Sequence, residues 1–399
     1  MPRSDHRAAT RSTDAVWSAL ARALFARRDL TSDWVPAFAA VPRSAFLPDV
    51  IWPYDPGRGD HVRISQLEEP AAWRTYAHSD LPVVTQWDEN SDTHTPLVEP
   101  TSSSSMPSIT MSMLRDLDVE AGSRVLEIGT GTGWSTALLA HRLGRRNVIS
   151  IEVDASVAAR ARGSLRRIGL PVPVIGTDGL HGHPTGAPYD RIIATCGVRT
   201  IPYAWVEQCR PGGLILVPWG THYAPLDVTV RLTVADDARS ASGNFLGPVE
   251  FTKLRAHRLP WPRHQDYLDA YGFAGAAKSL TTVTVTDLGT GRFEPSHLAV
   301  GARVPHCVHA LAPTRGGVQP VWFYSLTDTS WAVVLFRNGA GLATVRQAGP
   351  RHLWDEVEEA LTWWRDAGRP GFERFGLTVT AEGQTVWLDH PSQPCQRRA

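Results

Sequence analysis

The 399-residue sequence is poor in cysteine, has no excess of either charge and contains no long apolar run. Lysine plus arginine and aspartate plus glutamate each number 40, so the electrostatic basis for binding nucleic acid or an anionic membrane is missing. Membrane-spanning and signal-peptide segments are lacking as well. The cysteines are scattered without a Cys-X-X-Cys pair, which argues against a disulfide framework and predicts reduced thiols in a cytoplasmic protein; they are Cys196, Cys209, Cys307 and Cys395.

Apolar material is sufficient for a sizeable core, since hydrophobic residues make up 42% and charged residues 20% of the chain. The length predicts two or three domains. We predict an N-terminal helical and extended region over 1–100 and a central domain over 101–260. A smaller C-terminal α+β domain is predicted over 275–399, after a break near 261–279.

Strand and helix patterns alternate between about 108 and 256, which predicts a parallel sheet covered by helices on both faces. The predicted fold class is therefore α/β, with a doubly wound, Rossmann-like sheet. The strands are expected at 124–129, 147–154, 172–178, 189–196 and 212–220, and the helices at 108–117, 134–143, 155–168 and 202–209. The flanking patterns predict a helix at 12–28, antiparallel strands at 226–236 and 279–288, hairpins at 320–337 and 375–389, and a helix at 351–368.

The strongest local signal is VLEIGTGTGWSTALLA, in which an apolar strand runs into a glycine-rich turn that opens a helix. Gly129, Gly131 and Gly133 allow a tight turn and a close approach of a ligand to the backbone. A nucleotide-like ligand beside that helix N-terminus is the expected occupant.

The spacing of the glycines indicates which ligand that is. A dinucleotide fingerprint would place Trp134 at its third glycine, and the Lys-Ser/Thr ending of a phosphate-binding loop is absent. Gly-X-Gly-X-Gly after the acidic strand residue Glu127 suits S-adenosylmethionine, which has no phosphate to bind. We therefore predict a site for this cofactor that includes Glu127, Gly129, Thr130, Gly131 and Gly133.

Two further carboxylates follow the next strands of the predicted sheet. Glu152, beside Val153, can accept hydrogen bonds from both ribose hydroxyls. Asp178, beside Gly179 in GTDG, can accept one from the adenine amino group. The alternative interpretation is that these carboxylates are helix N-caps next to tight turns.

At these motifs the sequence resembles the protein-L-isoaspartate O-methyltransferase family. The resemblance covers about residues 35–260, through VPRSAFLPD, TSSSSMPSITMSML, VLEIGTGTGW, ISIEVD, GTDG, APYDRIIATCGV and QCRPGGLILVPWG. It implies a Rossmann-like methyltransferase sheet and an enzyme that methylates carboxylates of aspartyl-type residues in peptides.

In that family a Ser-Ala-Pro-His-Met stretch precedes the cofactor loop, and its serine lies beside the reacting carboxylate. Aligned on Met106, the matching serine here is Ser102, and three more serines replace Ala-Pro-His. The family's Gly-Gln before that stretch is replaced by Glu99-Pro100. The cofactor half of the pattern is thus intact, whereas the substrate half differs.

The residues after about 270 have no counterpart in a compact repair enzyme. Extended, substrate-altered members resemble those that accompany ribosomally made, modified peptides of the lanthipeptide, lasso and graspetide types. The resemblance therefore implies methylation of one Asp of a precursor peptide, followed by aspartimide or isoaspartate formation. Three alternatives are open: general isoaspartyl repair, a catalytically silent cofactor- and peptide-binding protein, and a small-molecule methyltransferase.

A carboxylate with a pKa of about 4 is ionised at pH 7, so methyl transfer to it requires no general base. Because its charge is neutralised in the transition state, uncharged donors suit it better than cations. We therefore predict Ser102 and Ser103 as catalytic and Ser104, Ser105 and Arg199 as substrate-binding. The alternatives are a solvated linker for the serine run and a solvent-exposed loop side chain for Arg199.

Other features have simpler interpretations. His181-X-His183 lacks a third ligand, so no metal site is predicted. The acidic segment 87–96 is predicted to be a surface loop or a lid over the acceptor site. The arginines that follow Glu152 indicate a solvated helix face or a contact with an acidic leader peptide; they are Arg160, Arg162, Arg166 and Arg167.

Overall fold

The structure, a computed structural model, describes residues 19–55, 57–88, 100–259 and 262–396. These residues form two compact units. The first runs through residue 196 and adds 204–216 and 233–238, and the second holds 197–203, 217–232 and the chain from 239 onward. Of the helix predicted at 12–28, residues 19–26 are helical and the preceding part lies outside the described residues. The acidic segment 87–96 also lies outside them, apart from its first two residues.

The first unit begins with short helices and a small antiparallel sheet. The helices are α1 (residues 19–26), α2 (Val35–Ala40) and α3 (Pro70–Ala77). The strands are β1 (Val50–Asp55), β2 (Asp60–His61), β3 (Ile64–Ser65), β4 (Val83–Trp87) and β5 (Pro100–Ser104), in the order β2-β1-β4-β5 with β3 on β1. The serine run therefore lies in a strand, paired antiparallel to β4.

The predicted parallel sheet is confirmed. Its strands are β6 (Val125–Ile128), β7 (Val148–Glu152), β8 (Val174–Gly176), β9 (Tyr189–Ala194) and β10 (Cys209–Trp219). Helix α4 (Pro107–Asp116) precedes them, and the helices between them are α5 (Trp134–Leu143), α6 (Ala155–Arg167) and α7 (Tyr203–Gln208). Most predicted bounds differ from these by one to three residues.

The order β10-β9-β6-β7-β8 explains where a ligand can bind. The neighbouring pairs are parallel, and the chain runs outward from β6 through β7 and β8 before returning to β9 on the other side of β6. The strand order thus reverses beside β6. In open α/β sheets the crevice at the carboxyl ends of such strands is the ligand site.

The second unit is mainly antiparallel. Its strands β11 (Asp227–Val234), β12 (Ser240–Val249), β18 (Phe375–Thr380) and β19 (Gly383–Leu388) neighbour one another in the order β19-β18-β12-β11. A second sheet follows the order β13-β17-β16-β15-β14, with strands Ala277–Thr281, Cys307–Leu311, Val318–Ser325, Trp331–Arg337 and Ala343–Ala348 as β13 to β17. The helices are α8 (His264–Tyr271), α9 (Val285–Leu288), α10 (Pro295–Arg303) and α11 (Leu353–Asp366).

Two sequence predictions differ from the structure. The strand expected at 279–288 ends at Thr281, because Thr284 and Asp287 form a capping box that starts α9. The predicted domain borders near 100 and 275 do not divide the compact units, whose first change falls after Cys196. The reason is strand pairing: β5 joins the N-terminal region through β4, and β12 pairs with the distant β18.

Among the described residues, the helices are either too short or too polar to span a lipid bilayer.

Candidate active site

The glycine-rich turn lies at the carboxyl end of β6, where the strand order reverses. The amides of Gly129 and Thr130 both donate to the carbonyl of Ile151 at the end of the neighbouring strand, at 2.9 and 3.0 Å. Gly131 and Gly133 have φ values of 53° and 89°, which lie in a region that residues other than glycine rarely adopt. Glycine at these two positions therefore lets the chain turn sharply between β6 and α5.

Glu127, in strand β6, supports this turn through hydrogen bonds. It is 0% exposed and accepts hydrogen bonds from Ser135 at 2.5 Å, from Ser150 at 2.7 Å and from Thr136. Burial raises the pKa of its carboxyl group, and the three hydroxyl donors oppose that shift. Ser150 also contacts Thr130 of the turn at 2.6 Å. The observed contacts of Glu127 support the loop, and the cofactor contact predicted for it from the sequence stays a prediction.

Glu152, at the end of β7, faces the turn directly. Its Oε2 accepts a 2.9 Å hydrogen bond from the amide of Gly131, and its Oε1 accepts one of 3.0 Å from Asp154. Each carboxylate oxygen has a second lone pair, so the group can also accept from a ribose diol. Val153 beside it is 41% exposed. Asp154, which the sequence analysis did not single out, is the side chain that caps α6.

Asp178 follows β8 and is half-buried. One of its oxygens caps a short 3-10 turn by accepting from the amide of Leu180 at 3.0 Å. Gly179 is buried, and its carbonyl accepts from the indole of Trp205 at 2.8 Å. The N-cap interpretation therefore applies to one oxygen of Asp178, and the other oxygen is available to accept from a ligand.

The serine strand β5 lies against the cofactor loop. The carbonyl oxygen of Ser103 is 3.6 Å from the position that a Cβ on Gly131 would occupy. Ser102, on the buried side of the strand, is 7% exposed and accepts a 3.0 Å hydrogen bond from Thr85 on β4. Ser102 and Gly131 both line one cavity of about 400 Å³.

Thr101 is a neighbouring hydroxyl that the sequence analysis missed. Its Oγ1 is enclosed from solvent and has no hydrogen-bond partner within the described part of the chain. An enclosed hydroxyl without a partner is costly unless a ligand or water binds to it. Thr101 precedes Ser102 in β5, so its side chain points to the opposite face of the strand.

Ser104 has a different environment from Ser102. It is 2% exposed, and its hydroxyl and carbonyl accept from the guanidinium of Arg43, each at 2.9 Å. Arg43 also donates to the carbonyl of Leu81 at 2.9 Å. Because Arg43 is itself fully enclosed, burial lowers the pKa of its guanidinium to about 9. The structure thus places Ser104, predicted to bind substrate, in a hydrogen-bond cluster that fixes β5, while Ser105 only leads into α4.

Arg43 is a structural residue that the sequence analysis overlooked. The one signal available was a lone arginine inside the apolar segment VPRSAF. Its guanidinium also lies 5.9 Å from the ring of Trp134, whose indole donates to the carbonyl of Val41 at 3.0 Å. These contacts attach the N-terminal segment to the start of α5.

Arg199, the other predicted substrate contact, belongs to the second compact unit. Its guanidinium donates to the carbonyls of Thr221 and His257, and its own carbonyl accepts from Gln384 at 2.7 Å. All three contacts lie within that unit, and the predicted role of Arg199 in substrate binding stays a prediction.

The parts assembled at the end of β6 fit S-adenosylmethionine. Gly131 lies beside the backbone of Ser103, Glu152 ends β7, and Asp178 follows β8. The fold and this site define an S-adenosylmethionine-dependent methyltransferase.

Comparison with known proteins identifies the group within that class. The family described as Protein-L-isoaspartate(D-aspartate) O-methyltransferase (PCMT) matches residues 71–250. A protein-L-isoaspartate O-methyltransferase from Thermococcus sibiricus is 36% identical over 152 residues, which are 38% of this chain and 68% of that protein. One from Pyrococcus horikoshii is 41% identical over 120 residues, or 30% of this chain and 54% of that protein. The chain therefore belongs to the protein-L-isoaspartate O-methyltransferase family, whose members are carboxyl methyltransferases that use S-adenosylmethionine.

The two relatives are matched over different shares of their length. The chain spans about two thirds of the Thermococcus protein and about half of the Pyrococcus protein. A solved structure titled protein-L-isoaspartate O-methyltransferase superposes on 95% of this chain and 100% of its own length, with a TM-score of 0.52 and 21% identity. That likeness concerns the fold, and it extends into the second compact unit.

Proposed function

We propose that this chain methylates the side-chain carboxylate of an aspartate in a modified, ribosomally made precursor peptide. The observation that carries the proposal is the strand of hydroxyls next to the cofactor loop, in which Ser102 lines the same cavity as Gly131. Serines replace the family's Ala-Pro-His beside that residue, so the acceptor surface differs where a substrate would lie.

Residues of the first unit would hold the cofactor. Glu152 would accept from the ribose and Asp178 from the adenine amino group, with the glycine turn alongside. When bound, S-adenosylmethionine supplies an electrophilic methyl group. The chain's own contribution is to place an acceptor oxygen in line with that methyl and to exclude water from it.

The hydroxyl of Ser102 suits a carboxylate acceptor. The acceptor is ionised at pH 7, so the site does not have to remove a proton from it. The hydroxyl donates one hydrogen bond without adding a charge. A cation there would favour the anionic substrate over the less charged transition state and would slow the reaction.

The ester product is activated toward ring closure. The backbone nitrogen of the following residue attacks the ester carbonyl, methanol leaves, and a five-membered aspartimide forms. The aspartimide either persists or is hydrolysed to aspartate and isoaspartate. This step uses atoms of the peptide alone, so we assign no residue to it.

General isoaspartyl repair is the second candidate. It is favoured by the names of the relatives, and the solved structure that superposes on nearly the whole chain carries the same name. Since that fold includes the second unit, the added length does not by itself favour a precursor-peptide substrate. The serine strand is the feature that separates the two candidates.

Mass spectrometry of peptides incubated with enzyme and S-adenosylmethionine tests the proposal. We expect an L-Asp peptide to gain one methyl group and then to lose methanol, for a net loss of water. Matched peptides with isoaspartate at the same position provide the comparison. Methylation of unrelated isoaspartyl peptides, with none of L-Asp peptides, would establish repair instead.

Two further outcomes identify the remaining alternatives. Tight binding of S-adenosylhomocysteine and peptide without turnover would indicate a silent binding protein. Methylation of a small carboxylic acid in preference to any peptide would indicate a small-molecule methyltransferase.

We place the activity in the cytoplasm, where the four thiols would stay reduced.

A further inference from the structure

One face of α6 lines the cavity that contains Ser102. Its members are Arg160, Gly163, Ser164 and Arg167, which are spaced i, i+3, i+4 and i+7 and so lie along one side of a helix. The short segment Phe46–Asp49 also lines this cavity. The volume of about 400 Å³ lies within the range of ligand sites, roughly 300 to 1,000 Å³.

Gly163 is unusual because the packing does not require it. Apart from its chain neighbours and the backbone of its own helix, no described atom lies within 4 Å of the position that its Cβ would occupy, and its φ is not in the left-handed region. A glycine inside a helix lowers stability relative to alanine. Its effect here is to leave the helix backbone open to the cavity, which is useful only if a ligand approaches it.

The two arginines give this face a positive charge. Arg160 donates to Gln86 and to Ser156 at 3.4 Å, and Arg167 donates to Ser164 at 2.9 Å and to the carbonyl of Ala45 at 3.4 Å. All four partners are neutral oxygens. At 1.5 Å per residue, the two positions are about 10 Å apart along the helix, so they can meet separate carboxylates of an extended peptide.

Gln86 connects this face to the serine strand. It accepts from Arg160 and donates to Asp154 at 3.2 Å, and its own backbone pairs with Ser102. The arginine face and the acceptor hydroxyl are therefore held by the same strand pair. Asp49 is the acidic residue of the cavity wall, which leaves the lining with more positive than negative side chains.

We propose that Arg160, Gly163 and Arg167 form a subsite for acidic residues that flank the methylated aspartate of the peptide. The inference rests on the proposed function for the identity of its ligand, since it assumes that Ser102 marks the acceptor position. The peptide backbone passes over Gly163, and its flanking carboxylates pair with the two guanidinium groups. Substrates with glutamate or aspartate near the acceptor are preferred.

The test uses two fluorescein-labelled nonapeptides of one sequence with a central L-Asp. Residues two and three positions to either side are glutamate in one peptide and glutamine in the other. A second pair contains central isoaspartate. Binding to the full chain with S-adenosylhomocysteine is measured by fluorescence anisotropy, and methyl transfer is measured separately with labelled S-adenosylmethionine.

We expect the wild-type enzyme to bind the glutamate peptide about tenfold more tightly than the glutamine peptide. The double variant Arg160→Gln, Arg167→Gln should lose that preference. Arg166→Gln, which removes the same charge from the same helix away from the cavity lining, is the matched control and should keep it. Equal binding of both peptides by wild type, or a preference that survives in the double variant, would overturn the inference.

Gly163→Ala gives a second test that loss of folding cannot mimic. It should raise Tm by about 2 °C and still weaken binding of the glutamate peptide, with affinity for S-adenosylhomocysteine unchanged. A higher Tm with unchanged peptide binding would contradict a ligand at this face. If neither the L-Asp nor the isoaspartyl peptide is methylated but binding still depends on the glutamates, the subsite is supported and the proposed reaction is wrong. If methylation occurs but binding does not depend on the glutamates, the reaction is supported and the subsite is wrong.

Discussion

The backbone amide of Gly131 donates a 2.9 Å hydrogen bond to the carboxylate of Glu152. This bond joins the glycine turn after β6 to the end of β7, 21 residues later in the chain. It fixes the turn and the proposed ribose acceptor relative to each other before any ligand arrives. Preorganisation of this kind reduces the entropy that binding would otherwise cost.

Glu152→Gln should weaken binding of S-adenosylhomocysteine by about tenfold or more, since an amide cannot accept at both oxygen positions. Isothermal titration calorimetry gives the affinity. Asp154→Ala is the comparison, because it removes the cap of α6 at a cost of about 1 kcal/mol in stability and should leave the affinity nearly unchanged. Equal effects of the two changes on affinity would contradict a ribose contact by Glu152.

Glu127→Gln should destabilise the first unit by about 1–3 kcal/mol, because three hydroxyl donors lose a common anionic acceptor. Chemical denaturation measures the loss. Cofactor affinity should fall with stability, since Glu127 acts through the loop that Ser150 and Thr130 support. Unchanged stability together with lost affinity would instead favour the direct contact predicted from the sequence.

Ser102→Ala should lower kcat by about tenfold with unchanged affinity for S-adenosylhomocysteine, because one donor to the acceptor carboxylate is removed. Steady-state kinetics on the peptide identified by mass spectrometry give this value. Ser104→Ala is the matched change on the same side of β5. It should lower Tm, since Arg43 would lose the side-chain hydroxyl that accepts from its Nε, and should leave kcat close to wild type. Turnover that is unaffected by Ser102→Ala would move the acceptor site elsewhere.

Acid should destabilise the second unit through two half-buried histidines. Burial lowers the pKa of His222 and of His309 to about 4, from 6.5 in the unfolded chain. The unfolded state therefore binds more protons between these values, so their contribution to stability is complete above about pH 6.5 and declines as the pH falls to about 4. Thermal melts at pH 7.5 and 5.0 measure this difference.

His309→Asn should reduce that pH dependence. Asparagine can still donate to the carbonyl of Tyr223, which His309 contacts at 2.7 Å, but it does not take up a proton in this range. His390→Asn, at an exposed position, is the control and should change the melts little. An identical drop in Tm between pH 7.5 and 5.0 for wild type and His309→Asn would contradict the assignment.

The sequence by itself determined the features that depend on neighbours along the chain. The glycine spacing, the acidic strand ends and the alternation of apolar segments with helices were sufficient to predict the parallel sheet and the identity of the cofactor. Helix α5, for example, begins at Trp134 as predicted, because a glycine turn and an apolar 3.6-residue period are local signals.

Only the tertiary structure decided the environment of each serine in the run. Four identical residues look alike in sequence, yet Ser102 lines the cavity while Ser104 accepts from Arg43, 61 residues away. Strand pairing and burial assign these environments, and both depend on contacts between distant segments that composition and periodicity do not encode. The composition of the compact units depends on such contacts as well, since β12 meets β18 more than 130 residues later.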